Sequence, residues 1–187
     1  FQNTVNDNSI SFAIAKFEKT RLSVCTTDVT SALHSRHAGR QISEKLLTDD
    51  LKAIFLLSDG LNINGSELVK GFNDILPQNV IVTGGLAGDG SKFENTWVLK
   101  DKCPTQNCVS AIGFYGDNFS IHTGYKGGWD VFGPERTVTK SSGNILFTLD
   151  NKPALELYKM YLGELASELP SSGLLFPLSI RKDTQDN

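Results

Sequence analysis

Long apolar runs, basic clusters and cysteine pairs are all scarce in this chain, and each scarcity closes off a class of function. Across 187 residues no apolar stretch approaches the roughly 20 residues that a membrane-crossing helix needs, so membrane insertion is not expected. The 18 lysines and arginines are outnumbered by 21 acids, giving a net charge of −3, and they do not gather into a patch. Nucleic-acid binding therefore lacks its electrostatic footprint. Three cysteines cannot all pair with one another; Cys103 and Cys108 are spaced C-x₄-C, and no C-x-x-C is present. Zinc would need further ligands nearby, so free thiols in a reducing compartment are expected, with a cytoplasmic location. No charged-then-apolar leader is visible. Neither a G-x-G-x-x-G dinucleotide loop nor a G-x-S-x-G nucleophile elbow occurs. No pattern of residues demands a cofactor. What remains, 39% hydrophobic and 21% charged, is the composition of an ordinary globular domain.

The first part of the chain alternates between strand and helix patterns. Residues 10–17 and 21–26 read as two strands joined by a short polar turn. Asp28 offers an N-cap, and Ala38, Ile42 and Leu46 recur at four-residue spacing, so a helix is expected over 29–47. Residues 52–57 form a short apolar run suited to a buried strand. Asn64 and Glu67 make a capping box for the next helix, which Pro77 stops. Residues 80–83 then give another buried strand. Strand, helix, strand, helix, strand is the signature of parallel crossovers.

Beyond residue 95 the character changes. Residues 96–99, 109–115, 119–125, 136–140 and 144–149 read as short strands, punctuated by Gly116-Asp117-Asn118 and Ser142-Gly143-Asn144. A helix follows Pro153 and ends at Gly163. The fold class is thus mixed α/β: a parallel β-α-β-α-β unit extended by an antiparallel meander, with helices packed outside. A four-layer α/β/β/α sandwich is the alternative packing. Residues 1–9 read as an extension, 10–168 as the domain, and 169–187 as a tail leading towards something else.

The parallel unit predicts where a site should lie. Ligands of open parallel sheets bind at the carboxyl ends of the strands. That edge should carry Asp28, Ser58-Asp59-Gly60 and the turn Gly84-Gly85-Leu86-Ala87-Gly88-Asp89-Gly90. It should also receive the N-termini of both crossover helices, whose free N–H groups favour anions. Carboxylates beside such donors suit a zwitterion or a polar metabolite. The candidate ligand-binding residues are Ser58, Asp59, Asn64, Gly84, Gly85, Asp89 and Arg136. In this scheme Asp59 or Asp89 takes an amine, while helix N–H groups or Arg136 take a carboxylate. The same residues also have structural readings: Asp59 and Asp89 can fix turns, the glycines can simply allow a tight one, and Arg136 can serve a surface ion pair.

Catalysis has less support. Asp28, Asp59 and Asp89 could together hold a divalent cation for hydrolysis. His34 and His37, three apart, are expected on the solvated face of the first helix, and His122 on the surface. In 124–136 (GYKGGWDVFGPER), Trp129 and Phe132 are expected to pin a loop onto the core, although they could cap a ligand or recruit a protein.

Taken together, LSDGLNINGSELVKGF (57–72), VTGGLAGDG (82–90), GFYG (113–116), GGWDVFGPERTVTKSSGNILFTLDNKPALELYKMYLG (127–163) and SSGLLFPL (171–178) resemble the FIST N-terminal domain, named for F-box and intracellular signal transduction proteins. The resemblance implies a sensory, small-molecule-binding module, with amino acids as suggested ligands. It also implies partnership with a FIST C-terminal domain, towards which 171–180 looks like the passage, and with a signalling output partner.

Overall fold

The computed structural model describes residues 9–124 and 126–181. Its centre is a four-stranded sheet built from β1 (Arg21–Asp28), β2 (Leu51–Ser58), β3 (Ile81–Leu86) and β6 (Cys108–Tyr115), in the order β1-β6-β2-β3. Between them come α1 (Ser35–Leu46), α2 (Gly65–Asn73) and a small hairpin of β4 (Val98–Lys100) and β5 (Cys103–Thr105). β2 and β3 pair in parallel, whereas β6 runs antiparallel to both β1 and β2. The fold class is therefore mixed α/β, as expected, with the first three strands all running the same way.

One pairing differs from the sequence expectation. β1 does not lie beside β2, because β6 is inserted between them. The reason is the composition of β6, which is apolar on both sides. Val109, Ala111 and Tyr115 are buried on the helix side, while Ile112 and Phe114 are half-buried on the other. A central position serves such a strand better than a place in a peripheral meander.

The core lies between this sheet and the two helices. Ile54, Leu56, Val109, Ala111 and Tyr115 meet Ala38, Ile42 and Leu46 of α1, and Leu68 and Phe72 of α2. Each large side chain buried here contributes about 1.5–3 kcal/mol relative to exposure. The helices touch backbone to backbone: a Cβ on Gly39 would lie 2.3 Å from the Leu68 carbonyl oxygen, and one on Gly71 2.1 Å from that of Arg36. Arg36 and Arg40 of α1 then grip Asp74 just past α2, at 2.8 and 2.7 Å. Tyr115 closes the far end, its hydroxyl donating to the Leu46 carbonyl at 2.8 Å.

The opposite face of the sheet is covered in part, where Phe17 and Phe119 pack on Phe114. Leu22, Val24, Phe55 and Leu57 are exposed on it. A second, three-stranded sheet follows, formed by β7 (Val138–Ser142), β8 (Ile145–Leu149) and β9 (Lys152–Pro153). Only the last two strands of the expected meander, 136–140 and 144–149, pair here, with Gly143-Asn144 as their turn; 96–99 pairs with β5 instead and 109–115 joins the first sheet, while α3 (Ala154–Leu162) packs on β8. Short 3₁₀ turns at Gly163–Glu168 and Ser171–Leu174 follow α3.

Several local expectations are corrected. Residues 10–17 and 119–124 form no strand, and residue 125 lies outside the described residues. The helix begins at Ser35 after a 3₁₀ turn, not at Val29, and Asp28 does not cap it. Asp28 instead ends β1, with its carboxylate 2.6 Å from the Lys100 ammonium. Trp129 and Phe132 do not pin their loop to the core; both are exposed, as is Val131 between them. Among the described residues no helix is long and apolar enough to cross a membrane.

Candidate functional site

The carboxyl ends of β1, β2 and β3 do share one edge with the start of β6, as the strand directions require. Backbone bonds lace that edge together. Asp59 N–H donates to the Cys108 carbonyl, Ala87 N–H to that of Ser58, and Val29 N–H to that of Asn107.

Asp59 is the hub of the lacing. It is only 1% exposed. Its Oδ1 accepts from the N–H groups of Leu61 (2.8 Å) and Asn62 (2.9 Å), and its Oδ2 from that of Asn107 (3.1 Å). Burial pushes its pKa up, yet these N–H groups and the Thr96 hydroxyl outweigh that and hold it below the usual carboxylate value. The buried Thr96 oxygen meanwhile accepts from Gly60 N–H at 2.9 Å. A carboxylate so engaged organises the edge and has no free direction towards a ligand amine.

The other candidates divide in the same way. Ser58 is buried, with its hydroxyl donating to the Asp59 carbonyl at 3.1 Å. Asp89 accepts from Phe93, Glu94 and Asn95 N–H at 3.1, 2.7 and 2.9 Å, closing the loop after β3, and these bonds lower its pKa. Gly84 lies against β2, where a Cβ would meet the Leu56 carbonyl oxygen at 1.8 Å, while Gly85 has nothing within 4 Å of that position. Arg136 sits with the second sheet, donating to Asp150 at 3.0 Å and to the Tyr161 hydroxyl at 2.8 Å. The structure does not bring Arg136 into this network of edge contacts.

Asn64 is different, because it frames open space. It caps α2 as the Asn64–Glu67 spacing predicts, accepting from Glu67 N–H at 3.1 Å. Glu67 does not complete the box; its carboxylate pairs with Lys70 at 2.6 Å. Asn64 N–H is taken by the buried Ser35 hydroxyl at 2.9 Å. Among the described residues, Gly65 and Ser66 N–H have no acceptor, as expected of a helix's first turn. They border a shallow, wide-open cleft of about 720 Å³ lined by Ile63, Asn64, Gly65, Ser66, Val69, Leu86 and Asn144.

Of the residues lining it, the sequence reading names only Asn64 as a candidate ligand contact. Gly65 and Ser66 were visible as the start of α2, but Leu86 read as part of a turn and Asn144 as hairpin material. Asn144 reaches the cleft from a different sheet, which no local pattern signals. A smaller hollow of about 170 Å³ lies nearby, between Asp89, Lys92, Glu94, Asn95 and Trp97. Among the described residues no group of three or more His, Cys, Asp or Glu is placed to hold a metal ion. His34, His37 and His122 are all exposed.

Comparison with known proteins agrees with the motifs. The family model described as the FIST N domain matches residues 1–152. No curated protein matches the chain. With most of its length covered by that model, the chain belongs to the FIST N domain family, a family of sensory domains in signal transduction.

Proposed function

We propose that this domain senses a small polar metabolite carrying a carboxylate, amino acids being the leading class, in the cleft at the N-terminus of α2. The observation that supports this most is the pair of unpartnered N–H groups of Gly65 and Ser66, two residues that line the cleft. A helix N-terminus combines such donors with a favourable dipole for an anion. Ile63, Val69 and Leu86 offer apolar wall to a side chain, and Asn144 a carboxamide to an amine or hydroxyl. Asp59, Ser58 and Gly84 serve by fixing the edge, Asp89 by closing its loop. Ligand binding moves the domain between states only by the difference in affinity for them. The output partner and a FIST C-terminal domain belong to this proposal, as does a cytoplasmic setting, which the free thiols of Cys25, Cys103 and Cys108 favour.

A thermal-shift screen with amino acids, dicarboxylates, nucleotides and divalent metals tests this reading. At a hundredfold excess over Kd a ligand adds about 2.7 kcal/mol of stability, which corresponds to a rise of roughly 5–10 °C at this chain length. Ser66→Asp sharpens the test. An acid in the first turn favours the helix by about 0.3–1 kcal/mol but repels a bound carboxylate. The variant is expected to melt slightly higher when free and to lose the ligand-induced shift. An undiminished shift in Ser66→Asp would remove the cleft assignment.

One observation favours a second reading. Trp129, Val131 and Phe132 are exposed on one loop, a surface suited to recruiting a protein. If no small molecule shifts the melting temperature, that reading gains.

A further inference from the structure

We propose that two copies of this domain associate through the free edge of β1, which pairs antiparallel with itself about a two-fold axis at Val24. Among the described residues β1 pairs only with β6, so its other side is an open edge. The direction of its backbone groups follows from one bond. Val29, continuing the register of β1, donates its N–H to the Asn107 carbonyl just before β6. N–H and C=O groups alternate sides along a strand, so those of Leu22, Val24 and Thr26 face outwards. Protein edges are usually blunted by lysine, proline, a bulge or short length. β1 has none of these: it is eight residues, RLSVCTTD, in unbroken register with β6. Arg21, its one cation, is turned inwards, lying 3.7 Å over the Tyr115 ring and pairing with Asp50 at 3.0 Å. The segment before β1 leaves the edge clear, because Phe17 packs on Phe114 and Ile10, Phe12 and Ile14 are exposed.

A second copy fits this edge because the edge is complementary to itself. An axis normal to the sheet sets Val24 against Val24 of the second copy and Leu22 against its Thr26, with about six backbone hydrogen bonds between them. Residues opposite one another then share a face. Val24, 67% exposed, and Leu22, 45% exposed, lie on the face away from the helices, opposite Ile112 and Phe114 of β6. Pairing joins the apolar strips of the two copies into one that crosses the axis. No charged residue stands between Leu22 and Thr26, so no like charges meet there. The sheet's other edge, β3, is a poorer template: it has six residues, two of them glycines, and φ near 149° at Gly84. A single strand-to-strand contact buries less than the standard interface of about 1,600 Å², which places the association in the micromolar range or weaker.

Sedimentation velocity of the whole chain, from about 1 µM to about 1 mM, is the test. The expected result is a sedimentation coefficient that rises with concentration to the value of a dimer. Val24→Pro should raise the dissociation constant about tenfold or more, since it removes the outward N–H at the axis from both copies. It should leave the β1–β6 ladder intact, because proline is tolerated on an edge strand where the N–H faces solvent. Melting temperatures measured at low concentration check that the variant is folded. Thr26→Pro, whose N–H also faces outwards, should weaken the dimer in the same way and stands in if Val24→Pro does not fold. An unmodified chain that stays monomeric at about 1 mM would overturn the proposal and leave the edge to a strand of another protein. A dimer that is undiminished in a folded proline variant would overturn it too, and would move the interface to another surface, such as the exposed sheet face.

Discussion

Asp59→Ala is expected to destabilise the domain by about 3–5 kcal/mol, the larger of the two effects anticipated here. Three backbone N–H groups, from Leu61, Asn62 and Asn107, lose their common acceptor at a site that is 1% exposed. Each orphaned donor costs about 1–3 kcal/mol, and water entering the vacated space recovers part of that. Against a typical total of about 5–15 kcal/mol this is a severe loss. It should appear as a fall of roughly 6–20 °C in melting temperature. Asp59→Asn should fall between. Its carboxamide oxygen can still accept from Leu61 and Asn62, but its NH₂ group then confronts Asn107 N–H, donor against donor. Denaturant melts of the three proteins check the order. If Asp59→Ala unfolds at the wild-type midpoint, the structural role given to this carboxylate fails.

The same contacts fix a dependence on pH. The N–H groups around Asp59 hold its folded-state pKa below the unfolded value, net of the opposing effect of burial. A carboxyl depressed by folding contributes stability that is complete above the unfolded pKa, near 4, and is lost as pH falls through the folded value. Asp59→Asn should accordingly flatten the stability profile below about pH 4 while leaving the profile above it parallel to wild type. A profile equally steep in both proteins would place the acid sensitivity elsewhere, for instance at Asp89, whose pKa is lowered by its own loop amides.

Asp59 also shows what the sequence could and could not reveal. An aspartate just past a strand reads equally well as a ligand contact or as a pin for a turn. The decisive partner, Asn107, lies 48 residues away, so the distinction rests on tertiary structure. Where the signal is local it was legible. The Asn64–Glu67 spacing announced the start of α2, and Ser142-Gly143-Asn144 announced the β7–β8 turn. Non-local choices were not legible. The position of β6 depends on which strand gains most from having both faces covered, and the run 108–115 looks the same in a meander or a sheet centre. Arg136 was recognisable as a bidentate donor, but Asp150 and Tyr161, which occupy it, are 14 and 25 residues away. The cleft draws on Asn64 and Asn144 from different sheets and helices, so no single motif could have outlined it.

Gly84 and Gly85 offer the sharpest contrast inside one motif, since the sequence presents them as equivalent and the structure does not. Gly84 has φ near 149° on the helix-facing side of β3, directly opposite Leu56 of β2. A Cβ there would sit 1.8 Å from the Leu56 carbonyl oxygen and 2.7 Å from its carbon. Both are backbone atoms of a central strand, so no rotamer change relieves the clash. The added strain of a conformation that L-residues rarely adopt points the same way. Gly84→Ala is expected to cost about 2–4 kcal/mol, at or above the upper range for overpacking, because the β2–β3 pairing itself must open. Gly85 lies on the opposite face with nothing within 4 Å of an added methyl, and its φ is not in the left-handed range. Gly85→Ala should therefore be neutral or stabilising by about 0.4–1 kcal/mol, through reduced freedom of the unfolded chain. Paired thermal melts separate the two substitutions by roughly 5–15 °C. Equal melting temperatures would mean that β3 does not run against Leu56 as described. Because the proposed ligand cleft is framed by Leu86, two residues beyond Gly84, the Gly84 variant should also lose any ligand-induced shift, whereas Gly85→Ala should keep it.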